Sequence, residues 1–273
     1  MTSEKKINTP FLKWAGGKAK IIDRIKAQLP KAKRLIEPFC GSATVFLNTD
    51  YNENIIADTN SDVINIYKHL QEEKIDFLEF CRPFFKPENN DSEFYYECRK
   101  QFNETDNKRL KAALFLYINK HSYNGLCRYN SSGGFNVPFG KYKKVTFPEN
   151  YIVNFIKKTD YAEFLVQDFE TSILNAQKGD VIYCDPPYVA LNASNSSFRY
   201  VEKVFGMEQQ KRLAELAEQS ADKGIPVLVS NHLTEFTEDI YKNAEMTKFS
   251  VRRSISCKAE QRVKASEVLA LFQ

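Results

Sequence analysis

Histidine and tryptophan are scarce in this chain, with three of the first and one of the second among 273 residues. The six cysteines (Cys40, Cys81, Cys98, Cys127, Cys184, Cys257) include no C-x-x-C pair. Neither a zinc cluster nor a disulfide framework has its usual spacing, so free thiols and no metal are expected. No apolar run approaches the roughly 18 residues that a membrane span requires. G-x-G-x-x-G is missing, which disfavours a pyrophosphate-bridged dinucleotide. The glycine pair in FLKWAGGK (11–18) resembles half of a phosphate loop, but the earlier glycine is absent and Ala19 stands where a magnesium-binding hydroxyl belongs. Nucleoside triphosphate binding is thereby excluded. The polar start has no apolar signal core, which predicts an intracellular, cytoplasmic protein with no membrane partner.

The composition is otherwise ordinary for a globular chain: 42% hydrophobic, 27% charged, net charge +4. That mild excess of base permits a polyanionic partner without requiring one. Basic residues recur in GKYKK (140–144), FIKK (155–158) and VRRSISCKAEQRVK (251–264), with aromatics between the first two. Each run alone reads as a solvated face; together they suggest a polyanion.

Apolar periodicity predicts strand RLIEPF (34–39), helical TVFLN (44–48), strand NIIAD (54–58) and a serine-capped helix over 61–73. This alternation is the mark of a parallel, doubly wound α/β sheet. It lapses from about residue 74 to about 150, where the chain is aromatic-rich and polar, with Asn124-Gly125 and Gly133-Gly134 as turns. An inserted second domain is expected there. Alternation then returns with strands at 162–168 and 180–185, a helix over 207–224, a strand at 226–231 and a helix over 234–243. The stretches 246–255 and 268–272 are expected to pair antiparallel at an edge, and LNASNSSF (191–198) to form a mobile loop.

Ligands of such sheets bind beyond the carboxyl ends of the strands, where strand order reverses. One such end carries Gly41, which lets a ligand approach the backbone, and the next carries Asp58, an acceptor suited to ribose hydroxyls. Each also has a plain structural reading, as a strand-to-helix turn and a helix cap. Trp14, beside Ala-Gly-Gly-Lys, offers a flat surface and open backbone to a cofactor with a neutral or cationic centre.

The most informative end is DVIYCDPPY (180–188). Prolines offer carbonyls and no N–H, so the turn after Asp185 presents acceptors almost exclusively. A carboxylate and a carbonyl side by side under the Tyr188 ring suit a planar heterocycle bearing an exocyclic NH₂. Accepting both hydrogens favours a pyramidal nitrogen and frees its lone pair. A carboxylate with a reference pKa of ~3.9 cannot deprotonate a neutral aromatic amine, so attack comes first and proton loss follows. The sulfonium methyl of S-adenosylmethionine is an electrophile needing neither metal nor phosphate site. Cys184, next to Asp185, reads as strand packing rather than as a nucleophile.

With FLKWAGGK, IEPFCGSATVFLN, ADTNSDVINIY, YNGLCRYNSSGGFNVPFGKYKK and YCDPPY in this order, nearly the whole chain resembles the Dam family of DNA adenine-N6 methyltransferases, and GATC-methylating members in particular. The resemblance implies a doubly wound, Rossmann-like methyltransferase sheet with an inserted, mostly helical target-recognition domain. Residues 1–61 and 149–273 would form the S-adenosylmethionine-binding catalytic domain and 62–148 the recognition domain. It implies that Trp14, Ala15, Gly17 and Lys18 lie along the cofactor, that Phe39 and Gly41 flank it, that Asp58 holds its ribose and Asp168 its adenine amine. Asp185, Pro186, Pro187 and Tyr188 would bind the target adenine, with Asp185 also beside the cofactor. A base inside a duplex must be flipped out to reach such a pocket. The resemblance further implies that Tyr123 wedges into the stack, Asn124 meets the orphaned base, and Leu126 and Pro138 touch thymine methyls. Arg128 and Lys13 would each read a guanine, and Arg99, Lys141 and the Lys143–Lys144 cluster would contact phosphates. D-P-P-Y also occurs in RNA adenine and cytosine-N4 methyltransferases, and an inactive DNA-binding regulator could share the fold. The Tyr123 to Arg128 stretch argues for duplex DNA, and intact Asp185 and Tyr188 argue for catalysis; one flipped base at a time needs no symmetric partner, so a monomer is expected.

Overall fold

A computed structural model describes residues 7–188, 205–252 and 264–273. The predicted loop at 191–198, Cys257 and most of the basic stretch 251–264 lie outside the described residues. Seven strands, β1 (Arg34–Glu37), β2 (Glu53–Asp58), β3 (Ala162–Val166), β4 (Asp180–Cys184), β5 (Val227–His232), β6 (Glu245–Arg252) and β7 (Lys264–Phe272), form one sheet in the order β3-β2-β1-β4-β5-β7-β6. β1 pairs in parallel with both β2 and β4, and β4 with β5. The chain therefore winds outward from β1 and returns to its other side at β4, which makes the β1–β4 pair the point of reversal. β7 lies antiparallel between β5 and β6, so the predicted edge pair forms and also joins the parallel part of the sheet.

Two predicted strands end early, for local reasons. The one expected over 34–39 stops at Glu37, because Pro38 brings no N–H to a ladder. The one expected over 162–168 stops at Val166, and Asp168 instead caps the next helix.

The chain forms two compact units. One comprises Asp23–Phe39, Tyr51–Ala57 and Gln167–Gln273. Its helices are α1 (Ile22–Gln28, entering at its second residue), α8 (Phe169–Leu174), α9 (Met207–Asp222) and α10 (Glu235–Ile240). β4 is buried along its whole length, as expected of a central parallel strand covered on both faces. Ile36, Ile182, Leu213, Leu216, Val227, Val229 and Phe272 fill the core. Arg34 grips Asp180 with both ends of its guanidinium, at 2.9 and 2.7 Å, which fixes β1 against β4 at their starts.

The other unit comprises Met1–Ile22, Cys40–Asp50 and Asp58–Val166. It holds α2 (Thr44–Asn48), α3 (Ser61–Glu72), α4 (Ile75–Cys81), α5 (Ser92–Glu104), α6 (Lys108–His121) and α7 (Glu149–Thr159). Three of its polar residues are helix caps. Asn60, Asp91 and Asn107 accept the first amides of α3, α5 and α6. Some of its aromatics form a core: Phe11, Phe46, Tyr67, Phe155 and Phe164 pack with centroids 4.7 to 6.2 Å apart. α6 is buried from Ala112 to Asn119. Among the described residues no helix is long and apolar enough to cross a membrane.

Candidate active site and nucleic-acid interface

Asp185 follows the last residue of β4, and the register Tyr183↔Leu228, Cys184↔Val229 brings Ser230 of β5 alongside it. The Ser230 hydroxyl donates to Asp185 Oδ1 at 3.0 Å. Pro186 is buried and Pro187 exposed. The Pro187 carbonyl accepts Gln210 Nε2 at 2.8 Å, and Gln210 Oε1 in turn accepts Asn231 Nδ2 at 3.0 Å. Of the two proline carbonyls, Pro187's is thus engaged in holding the turn. The Tyr188 ring meets His232 edge to face at 4.5 Å, and burial drives its phenol well above the usual range. Burial likewise raises the Cys184 thiol, so it stays a protonated packing residue, as the sequence suggested.

At the end of β1, Phe39 stacks on Phe169 at 5.5 Å and meets Phe205 edge-on at 5.4 Å. Asp168, just before Phe169, is exposed and accepts both the backbone N–H and the hydroxyl of Thr171. Those donors hold its carboxyl below the usual range.

In the other unit, Gly41 lies against Trp14. Its φ is +45°, and a Cβ there would fall 2.4 Å from Trp14 Nε1. Its N–H donates to Asp58 Oδ2 at 3.0 Å, and its carbonyl accepts the Tyr67 hydroxyl at 2.6 Å. Asp58 Oδ1 accepts the Asn60 N–H at 2.9 Å. Burial raises the Asp58 pKa, and the amides of Asn60, Gly41 and Thr59 oppose the rise. Ala15, Gly16 and Gly17 are exposed, and Lys18 folds its ammonium back onto the Gly16 carbonyl at 2.7 Å. A flat indole, accessible backbone and a nearby carboxylate thus stand together. Among the described residues no group of three or more His, Cys, Asp or Glu side chains is placed to hold a metal ion.

In the same unit, residues 122–140 leave α6 and fold back. Tyr123 N–H donates to the Pro138 carbonyl, Ser122 bridges Phe139, and Tyr129 bridges Phe135 around the turn at Gly133. This excursion displays Tyr123, Asn124, Leu126, Arg128, Pro138 and Lys141 at the surface. Asn124 takes the left-handed φ of +53°, within a 3-10 turn rather than a strand hairpin. Arg128 donates to Asn136 Oδ1 at 2.8 Å, and Arg99 to the Val137 carbonyl at 3.0 Å while its guanidinium covers Tyr96. Lys13 is half-buried, donating to the Lys120 carbonyl at 2.7 Å with its ammonium 3.8 Å from the Tyr142 ring centre. Burial lowers its pKa.

Several partners of these residues escaped the sequence reading. Ser230, Gln210 and Tyr67 each bond a backbone carbonyl or carboxylate of a motif residue, yet lie 23 to 45 positions from it. Strand pairing could have found Ser230, since it stands at the end of the strand beside β4. Gln210 and Tyr67 lie on helices in patterns that carry no such signal.

A sheet that reverses at β1–β4, with an acceptor turn closing β4, defines a doubly wound fold whose ligand edge lies at that turn. The family model for "D12 class N6 adenine-specific DNA methyltransferase" matches residues 14–255, and the chain belongs to this family. It is 45% identical over 268 residues to the DNA adenine methylase of Escherichia coli (strain K12), covering 98% of this chain and 96% of the relative. The DNA adenine methylase of Serratia marcescens is 45% identical over 269 residues, 98% of this chain and 100% of its own length. That of Vibrio cholerae is 43% identical over 263 residues, covering 96% and 95%. Membership sets aside the RNA-adenine and cytosine-N4 readings.

Proposed function

We propose that this enzyme transfers the methyl group of S-adenosylmethionine to N6 of an adenine flipped out of duplex DNA, within GATC. The observation that carries this reading is the closing turn of β4: Asp185 is held in place by Ser230, while Gln210 occupies the Pro187 carbonyl. On this reading Asp185 and the Pro186 carbonyl accept the two N6 hydrogens, and the Tyr188 ring covers the face of the base. The amine attacks first, and its proton then leaves to the Asp185 carboxylate or to water.

S-adenosylmethionine, when bound, supplies a sulfonium-activated methyl group. The residues present fit it. Gly41 leaves no room for a Cβ beside Trp14, and half-buried Asp58 takes an amide on each oxygen while retaining lone pairs for a ribose hydroxyl. Trp14, Ala15, Gly17, Lys18, Phe39, Gly41 and Asp58 would hold it, and Asp168 would meet its adenine amine beside its capping bonds.

The exposed Tyr123 supports a wedge role, with Asn124 beside it for the orphaned base. Leu126 and Pro138 suit thymine methyls, Arg128 and Lys13 suit guanines, and Arg99 and Lys141 suit phosphates. In this division, 1–61 and 149–273 carry cofactor and catalysis, and 62–148 reads DNA. We further infer a monomer acting inside the cell on double-stranded DNA. Plasmid incubated with protein and S-adenosylmethionine should resist an endonuclease that cuts only unmethylated GATC. Protection at other sequences and never at GATC refutes the recognition assignment.

A further inference from the structure

Asp185 is held by more than its own turn. Side chains alternate along a strand, so Tyr183 and Asp185 share one face of β4, and the parallel register sets Ser230 of β5 beside them. The Tyr183 hydroxyl lies 3.0 Å from Ser230 Oγ, and Ser230 Oγ lies 3.0 Å from Asp185 Oδ1. A longer contact of 3.4 Å runs from Ser230 to the Cys184 carbonyl. Tyr183 and Ser230 are both buried, at 2% and 1% exposure. Burial drives the Tyr183 phenol far above its ordinary pKa, so it remains an O–H donor throughout the neutral range. Its natural acceptor is the serine oxygen, which directs the single serine proton onto the carboxylate.

We propose that Tyr183 and Ser230 are positioning residues for methyl transfer, forming a one-way donor chain from Tyr183 through Ser230 to Asp185 that commits Oδ1 to the protein. This rests on the assignment of Asp185 to the target amine. The chain fixes the plane of the carboxylate before a base arrives, so its remaining acceptor capacity meets the amine at one angle only. A carboxylate free to rotate about χ2 would spend much of its time misaligned, and misalignment lowers the transfer rate without loosening ground-state binding. The arrangement also accounts for two of the polar side chains buried in the sheet, Tyr183 and Ser230. Each is satisfied by the next, and the series ends on a charge.

The test is single-turnover transfer of labelled methyl from S-adenosylmethionine to a GATC duplex by the full-length protein and its variants Ser230→Ala, Tyr183→Phe, the double variant and Ser230→Thr. Ser230→Ala is expected to slow transfer by about tenfold or more while the Kd values for cofactor and duplex stay within about threefold. Tyr183→Phe should slow it less. The double variant should be no slower than Ser230→Ala, because tyrosine acts only through serine. Ser230→Thr keeps the hydroxyl and should recover most of the rate. Ser230→Ala within about twofold of the wild type, or two losses that multiply, overturns the relay while leaving the methyltransferase reading intact. A wild type that methylates no adenine overturns that reading, and the relay with it.

Discussion

The Tyr129 phenol donates to Asp62 Oδ2 across 2.7 Å, tying the excursion proposed to read DNA to the first turn of α3. Asn60, which caps that helix and gives its N–H to Asp58, also reaches the Tyr129 hydroxyl with its amide at 3.5 Å. The residue proposed to hold the cofactor ribose and the segment carrying Arg128 are therefore two hydrogen-bonded links apart. Tyr129→Phe leaves Asp62 without this donor and is expected to cost about 1–2 kcal/mol of stability. The segment bearing Arg128 should also be less well aimed. In competition binding, preference for a GATC duplex over a scrambled one should narrow, and an unchanged preference would make Tyr129 a fold residue only.

Arg128→Ala should relax discrimination at one guanine by about 1–3 kcal/mol while non-specific binding changes little. Binding assays across duplexes substituted at each guanine check this. Equal losses on every sequence would reassign Arg128 to the backbone.

Asp185→Ala is expected to reduce transfer by about 10²-fold or more, since acceptor and positioning functions vanish together. Cofactor and duplex affinities should largely persist. Retained turnover in a single-turnover assay removes Asp185 from the mechanism.

Gly41→Ala combines two costs. Its φ of +45° is unfavourable for an L side chain, and the new methyl would meet rigid indole atoms at 2.4 and 2.7 Å. A loss of about 1–3 kcal/mol is expected in urea unfolding. Because relief requires Trp14 to move, cofactor affinity should fall further than stability alone explains. Calorimetric titration showing wild-type affinity would take Trp14 out of the cofactor site.

Much of this was legible in the sequence because strand ends announce themselves. Apolar runs closed by Gly41, by Asp58 and by Asp185 marked strand ends, whereas the serine cap expected for the helix over 61–73 falls one residue earlier, on Asn60, with Ser61 already inside the helix. The β1–β4 reversal could not be read, because sheet order depends on pairings between segments more than a hundred residues apart, such as Arg34 with Asp180. The partners of the motif residues were hidden for a similar reason. Ser230 is an ordinary serine until β5 is laid beside β4, and Tyr129 is one aromatic among many until it meets Asp62. Asp168 shows the opposite case: a residue weighed for cofactor binding proves to be a well-satisfied cap, and its carboxylate already serves Thr171 twice.

His121 gives the fold a pH dependence of known sign. Burial pushes its imidazole down from 6.5 to about 4, as it sits 1% exposed, stacked on Tyr117 at 4.0 Å and near the ammonium groups of Lys13 and Lys120. Its Nδ1 contacts the Tyr117 carbonyl at 2.8 Å, so Nδ1 carries the proton of the neutral ring. Between pH 6.5 and about 4 the unfolded chain binds a proton that the folded chain refuses. Stability from this group is complete above the unfolded pKa and is lost as pH falls toward the folded one, by up to about 3 kcal/mol. His121→Phe cannot titrate, and the neighbouring Phe85 and Tyr117 rings can receive another ring. In urea unfolding, wild type should lose stability relative to His121→Phe as pH drops from 7.5 to 4.5. The same difference at both ends would place the acid sensitivity on other groups.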